Sequence, residues 1–402
     1  NYKIVAGEFQ SYAAGPFAFS NGAAAGSQGF PGFSPNSRVD TSRDSFAGYA
    51  ELDAKVNDAF NVVAAGRYEH YNTFGDAWVG KVNALYKFVE GFSIRGSFGT
   101  GFHAPSPGQS NVSIVTTSFN NGVAFQSGTY PTNTAVAQYY GASNLTPEKS
   151  TNYGAGVILE PVRGLTVTVD GYQIDLRNRI GLTSPFIVTA ADLAAQPSLQ
   201  AVGIDGQVQY FTNGFKTRTR GVDVVGTYRT KLSEAQLNFT LAYNYNKTKV
   251  TDYDARVINF PILIDAENLA PKHRIVFNAN WALGNFSFNV RENYYSSFTA
   301  AQDYGVTNIV TNGVVTGATP NQVFGGKFVT DLEMSYTFAE HFTLSIGAQN
   351  FTDEHPDRLA ANSTVQLYPL TGGTSDGQVY PRGGGPFGFN GGFYYTRLRV
   401  KY

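Results

Sequence analysis

The stretch Gly391-Gly392-Phe393-Tyr394-Tyr395-Thr396-Arg397-Leu398-Arg399-Val400-Lys401-Tyr402 sorts its side chains onto two faces. Tyr394, Thr396, Leu398, Val400 and Tyr402 share one parity, and Tyr395, Arg397, Arg399 and Lys401 share the other. Successive side chains of a strand point to opposite faces, so this segment, folded as a strand, separates an apolar face from a cationic one. Such a strand calls for two different solvents. The edge of a soluble sandwich offers a core and bulk water. A wall between hydrocarbon and water offers the same pair, and an aromatic placed directly after the alternation favours the wall.

Composition points the same way. The 402 residues include 44 Gly, 25 Tyr and 31 Phe but a single Met, the signature of a β-rich chain with many turns. Charged residues make up 15%, well below the roughly 25% of soluble domains, yet mean hydropathy is slightly negative. A helical membrane protein needs apolar runs of about 20 residues, and the sequence has none. A transmembrane barrel alternates apolar with polar positions, so its average hydropathy resembles that of a soluble protein. The net charge of −1 argues against a nucleic-acid partner bound by phosphate neutralisation, and the absence of Cys excludes disulfide frameworks, thiol catalysis and Cys-based zinc sites. No signal-peptide pattern follows Asn1.

Outward from the final strand, the chain shows no repeat of fixed period, only a rhythm of strand, tight turn, strand and long loop. Tyr2 to Phe9 is a short candidate strand, followed by a Gly/Ala/Pro/Ser-rich run to about Arg43. Between Asp44 and Phe102 the alternation is clearest: Phe46, Leu52 and Val56 oppose Glu51, Asp53 and Lys55, and Trp78, Val82 and Phe88 oppose Lys81, Asn83 and Lys87. Asn57-Asp58 and Glu90-Gly91 are hairpin turn signals. Further pairs are expected at 148 to 161 with 164 to 177, 214 to 230 with 235 to 250, 272 to 283 with 286 to 298, and 327 to 338 with 341 to 351. Strands of about ten to fourteen residues exceed the globular norm of about five or six and suit a tilted bilayer crossing of roughly 9 to 11. The count comes to about fourteen, with short turns in the periplasm and long loops outside. Two places break the pattern. Parity changes near Gly171, which fits a bulge or a strand leaving the lipid, and Glu292 shares its parity with Val290 and Tyr294.

A series of segments resembles the barrel of TonB-dependent outer-membrane receptors. It includes Ala65-Gly66-Arg67-Tyr68-Glu69-His70-Tyr71, Arg95-Gly96-Ser97-Phe98-Gly99-Thr100-Gly101-Phe102-His103-Ala104-Pro105-Ser106, Leu145-Thr146-Pro147-Glu148, Gly171-Tyr172-Gln173-Ile174-Asp175, Arg220-Gly221-Val222-Asp223, Ala270-Pro271-Lys272-His273-Arg274 and Gly347-Ala348-Gln349-Asn350-Phe351-Thr352-Asp353. His103 stands where the family more commonly has Arg. The resemblance spans nearly the whole chain in order. It implies an all-β, antiparallel up-and-down barrel of about 22 strands around a plug, of which residues 1–402 form one domain, the C-terminal portion, without the plug or the first strands. It also implies that Tyr394, Leu398, Val400 and Tyr402 are the signal read by the barrel assembly machinery.

The function so implied is import of a scarce, bulky nutrient of siderophore, cobalamin or saccharide class across the outer membrane of a Gram-negative bacterium. TonB would act through the plug, and lumen charges such as Glu51, Arg67, Glu69, Lys81, Arg95, Arg291, Asp331, Glu333, Arg397 and Arg399 would contact it or simply pair along a wet wall. The expected partners are membrane lipid, the TonB complex, the assembly machinery and the small-molecule nutrient. A passive diffusion channel and a surface scaffold or adhesin are the alternatives. No G-x-S-x-G elbow, H-E-x-x-H helix or phosphate loop is present, and the five His lack metal-ligand spacing, so neither enzyme chemistry nor a cofactor is expected. Candidate ligand contacts lie in the loops: His103, Phe119, Phe125, Tyr130, Tyr139 and Tyr140. Their other reading is interfacial girdle or loop packing.

Overall fold

The computed structural model describes residues 2–4, 39–120, 123–301, 308–311, 314–317, 321–360 and 379–401; of these, 2–4, 117–125, 260, 308–317 and 382–384 are described by backbone alone. One antiparallel sheet of 13 strands dominates, in an order that follows the sequence without a crossover. Its strands are β1 (Ser45–Lys55), β2 (Phe60–Tyr71), β3 (Gly75–Val89), β4 (Phe92–His103), β5 (Glu148–Val162), β6 (Leu165–Leu182) and β7 (Phe211–Leu232). They continue as β8 (Ala235–Tyr253), β9 (His273–Leu283), β10 (Phe286–Tyr295), β11 (Lys327–Phe338), β12 (Phe342–Gln349) and β13 (Phe393–Val400). The outer edges of β1 and β13 pair with no strand among the described residues, so the wall is an open arc. The expected first strand is present as Tyr2–Ile4, but it pairs with Val39–Thr41 in a separate ribbon, which leaves the large sheet at 13 rather than fourteen.

The short turns at 56–59, 90–91, 163–164, 233–234, 284–285 and 339–341 all lie at one end, and the long connections at the other. Tight turns between long strands need left-handed backbone. Gly91 has φ 77° and Gly164 φ 87°. A Cβ on Gly164 would sit 2.3 Å from the Arg229 carbonyl oxygen, so the residue answers both a dihedral and a space requirement.

Cross-strand register carries the two-solvent reading from one strand to the whole wall. On one face, Leu52 opposes Ala64, Ala64 opposes Val82, Val82 opposes Phe98 and Phe98 opposes Tyr153. At the other side, Leu237, Trp281, Phe288, Met334, Ile346 and Thr396 form a similar row. The opposite face joins Asn278, Arg291 and Asp331, then Asn280, Asn289, Glu333, Gly347 and Tyr395. Tyr49 and Leu85 are exposed apolar residues on this polar side.

Burial is inverted relative to a soluble protein. Leu52 is 66% exposed, Trp78 75% and Leu398 57%, all on the apolar face, while the largest fully buried side chains, Tyr210, Phe324, Leu199, Ile258, Val188 and Val208, lie in the connections. Contiguous exposed apolar surface of this extent marks an interaction with something other than water.

The parity change in β6 resolves as a strand leaving the apolar zone. From Val167 to Leu176 the register runs unbroken against both neighbours, and the shift comes later, between Leu176 and Arg179, where Asn178 has φ 55°. Beyond Gly171 the apolar side therefore turns polar, with Gln173 opposite Arg220 and Asp175 opposite Arg218. β6, β7 and β8 have 18, 22 and 19 residues, well beyond one crossing, and carry the wall past the membrane. Glu292 does lie on the apolar face, opposite Phe277 and Thr330, and Thr330 Oγ1 donates to its Oε2 at 2.8 Å.

Candidate ligand site and the wet face

At the long-loop end, connections that the sequence presents as unpatterned fold into a cap with its own interior. Phe186–Ile187, Gln207–Gln209, Val123–Thr129 and Ile114–Asn120 form a four-stranded sheet, in which Gln207–Gln209 pairs in parallel with Ser127–Thr129. Val136, Val188, Leu199, Val202 and Val208 form one cluster, and Ala137, Tyr210, Phe215, Val257 and Ile258 another. The local turns are legible in sequence terms. Thr189 and Asp192 form a capping box, as do Ser106 and Gln109 with Pro107 at the first helical position.

The candidate ligand residues divide between two places. Tyr130 packs against both clusters, and burial pushes its hydroxyl up to about 12. Tyr140 stacks on Phe186 with ring centroids 4.8 Å apart, and Phe186 stacks on Tyr210 at 5.8 Å. Burial pushes the hydroxyls of Tyr140 and Tyr210 up to about 12 as well. Tyr139 is exposed, and its O–H donates to Asp192 at 2.9 Å. The Thr189 backbone N–H beside Asp192 holds that carboxyl below its usual range. Phe119 and Phe125 pair through their backbones with Ala124 and Ser118, and their side chains lie outside the described residues.

His103 sits elsewhere, at the end of β4 on the polar side of the wall. It is 67% exposed, with Nδ1 3.2 Å from Glu148 Oε2. It shares a cleft with Arg43, Arg67, Glu69 and Tyr71. Arg67 donates to Glu69 Oε2 at 2.9 and 2.7 Å, the Tyr71 O–H donates to Glu69 Oε1, and the Arg43 guanidinium lies 5.3 Å from the Tyr71 ring centroid. Arg43 also donates to the Pro105 carbonyl and lines a second, adjoining cleft with Thr41, Ser42, Asn133 and Asn144. Nothing in the local sequence marks Arg43 as part of a site. It closes a Gly/Ala/Pro-rich run with no periodicity, and only its position just before the first wall strand sets it apart.

Along the wet face several of the predicted lumen charges find polar partners. Arg95 Nε donates to Asp170 Oδ1 at 2.6 Å, and Arg397 donates to Glu333 at 2.9 and 2.8 Å while the Tyr395 O–H adds 2.6 Å. Asp331 accepts from the Asn350 backbone at 2.9 Å and stands opposite Arg291. Of the proposed assembly signal, Tyr394, Leu398 and Val400 lie on the apolar face opposite Ala348, Leu344 and Phe342; Tyr402 lies outside the described residues. No group of three or more His, Asp or Glu that could hold a metal ion occurs among the described residues.

A wall with one greasy and one charged face, capped at its long-loop end, defines an outer-membrane-type barrel sheet. Residues 2–351 match the family described as TonB dependent receptor-like, beta-barrel, and the chain belongs to that family. It is a family of outer-membrane receptors of Gram-negative bacteria concerned with transport. Similar solved structures include a double mutant of the ferric enterobactin receptor PfeA of Pseudomonas aeruginosa, with a TM-score of 0.58 and 17% identity over 90% of this chain and 45% of that one. The siderophore receptor PirA of Pseudomonas aeruginosa gives 0.56 and 14% over 92% of this chain and 51% of the other. PirA of Acinetobacter baumannii gives 0.56 and 14% over 90% and 46%. At these identities the likeness is one of fold, and the chain spans about half the length of the structures it matches.

Proposed function

We propose that this chain forms part of the wall and mouth of an outer-membrane importer that takes up an iron chelate of siderophore type with energy supplied through TonB. The observation that carries the reading is the continuous division of 13 paired strands into a lipid-facing and a charged face, with a folded cap over the charged side. Neighbours in fold whose names specify ferric enterobactin and siderophores support the cargo class. So does the cleft around Arg43, Arg67 and His103, since guanidinium groups suit the oxygen-rich anionic periphery of such chelates.

The open edges of β1 and β13 bear on completeness. Each unpaired backbone group facing hydrocarbon costs several kcal/mol, which is why barrels in lipid close. Further strands therefore close the wall in the working protein, and in this reading TonB acts on a plug held within it. Tyr394, Leu398 and Val400, exposed on the apolar side of the last strand, are the surface that the assembly machinery reads.

The test is uptake of radiolabelled ferric siderophores, across catecholate and hydroxamate types, by cells carrying or lacking the gene, with TonB intact or deleted. Uptake of at least one chelate that needs both gene and TonB is expected. Uptake indifferent to TonB, together with steady single-channel conductance, would point to a passive channel instead.

A further inference from the structure

Every Lys or Arg that the pairing places on the apolar side of the 13 wall strands falls in one patch, at the long-loop ends of β5 to β8. Three cross-strand pairs in it are of like charge and directly opposed: Lys149 with Arg177, Arg218 with Lys249, and Arg220 with Lys247. Lys216 completes the set, and all seven side chains are exposed. Like charges directly opposite across a sheet destabilise it. Three carboxylates offset part of this. Arg218 donates to Asp175 at 2.6 Å, Lys216 to Asp252 at 2.6 Å, and Lys249 lies 3.6 Å from Glu267. Arg220 reaches only the neutral Gln173, at 2.7 Å. Lys149, Arg177, Arg220 and Lys247 make no ion pair with a carboxylate among the described residues, although Asp175, paired to Arg218, lies near enough to Arg220 to interact with it electrostatically.

The place of the patch limits what can fill it. On the same face and closer to the short turns come Val222 and the rings of Tyr243, Tyr245 and Tyr153, aromatics of the kind that sit at the headgroup level of a bilayer. Cargo moving along the wet face meets the other side of the sheet and never touches these cations. Given the lipid-facing orientation proposed above, we infer that Lys149, Arg177, Arg220 and Lys247 bind the phosphates of a lipid headgroup in the outer leaflet. A phosphate between two opposed cations removes their repulsion and supplies charge-assisted acceptors to both. Arg220 and Lys247, directly opposed and with no ion pair of their own among the described residues, form the centre of the site.

The experiment is native mass spectrometry of the detergent-extracted protein, after confirming by heat-modifiable gel mobility that the barrel is folded. The probes are bisphosphorylated lipid A and its dephosphorylated form. The wild type should retain the phosphorylated lipid by roughly fivefold or more over the other. Arg220→Gln combined with Lys247→Gln should abolish that preference, Arg220→Lys combined with Lys247→Arg should keep it, and Lys55→Gln on the wet face should leave it unchanged. No preference in the folded wild type, or a preference that survives the double Gln variant, overturns the proposal. So does full displacement by excess inorganic phosphate, which would assign the patch to a free anion, or occupation by an acidic protein in place of lipid. None of these outcomes depends on uptake, so the transport reading stands or falls separately.

Discussion

Three tyrosines of the cap, Tyr130, Tyr140 and Tyr210, have their hydroxyls pushed up to about 12 by burial among apolar side chains. A folded pKa raised above the unfolded value means the folded state holds its proton longer, so the stability it contributes is fully present below about pH 10 and drains away as pH rises toward 12. Absorbance at 295 nm during alkaline titration should show these tyrosinates forming about two units after the exposed ones, with loosening of the cap; simultaneous titration of all tyrosines would contradict the packing. At the cleft, Arg43 touches Tyr71 and Pro105 from a stretch outside the wall. Arg43→Ala should weaken chelate binding by about tenfold or more, the scale of a lost charge-assisted hydrogen bond, with His103→Ala giving a smaller loss; equilibrium binding on whole cells checks both. His103 could be picked out in sequence because it follows a recognisable strand end. Its neighbours Arg43 and Glu148 could not, because they come from segments far apart in the chain that only folding brings together.

The wall strands were legible because a strand between two solvents writes its position into every second residue. Turn residues such as Glu90-Gly91 then fixed where the chain reverses, and the observed boundaries of β4, β5 and β9 lie within a residue or so of those expected. The cap was illegible for the opposite reason. Its interior joins Ala137, Tyr210 and Ile258 from three separate connections, so no local period announces it. Two predictions belong to these elements. Leu398→Arg puts a charge on the lipid face of β13 at a cost of about 2 to 4 kcal/mol near the bilayer centre, and should reduce the heat-modifiable folded fraction in outer-membrane preparations sharply. Gly164→Val forces a branched side chain into a left-handed turn 2.3 Å from the Arg229 carbonyl, adding about 1 to 3 kcal/mol of backbone strain before the clash is counted. It should slow assembly of the β5 and β6 hairpin, seen as protease-sensitive protein in pulse-chase. Normal folding of either variant would argue against the placement of its element.

For the molecule as a whole, hydrophobic burial is divided in two. Compact clusters such as Phe298, Ala300, Phe324 and Leu359 stabilise the connections, as in a soluble protein. The wall has no such interior and depends on hydrocarbon to cover Leu52, Trp78, Val82 and Leu398. The polar face meanwhile satisfies itself through pairs such as Arg95 with Asp170 and Arg397 with Glu333, which leaves a hydrated inner surface. Since the chain has no Cys, single cysteines can be placed at will for labelling. The most direct test is a nitroxide scan of positions 394 to 400 in the native outer membrane, comparing collision with oxygen, which concentrates in lipid, against a water-soluble nickel complex. Labels at 394, 396, 398 and 400 should favour oxygen and those at 395, 397 and 399 nickel, alternating without a break. Equal nickel accessibility on both sets, or the reverse parity, would contradict a wall with lipid on one side and water on the other.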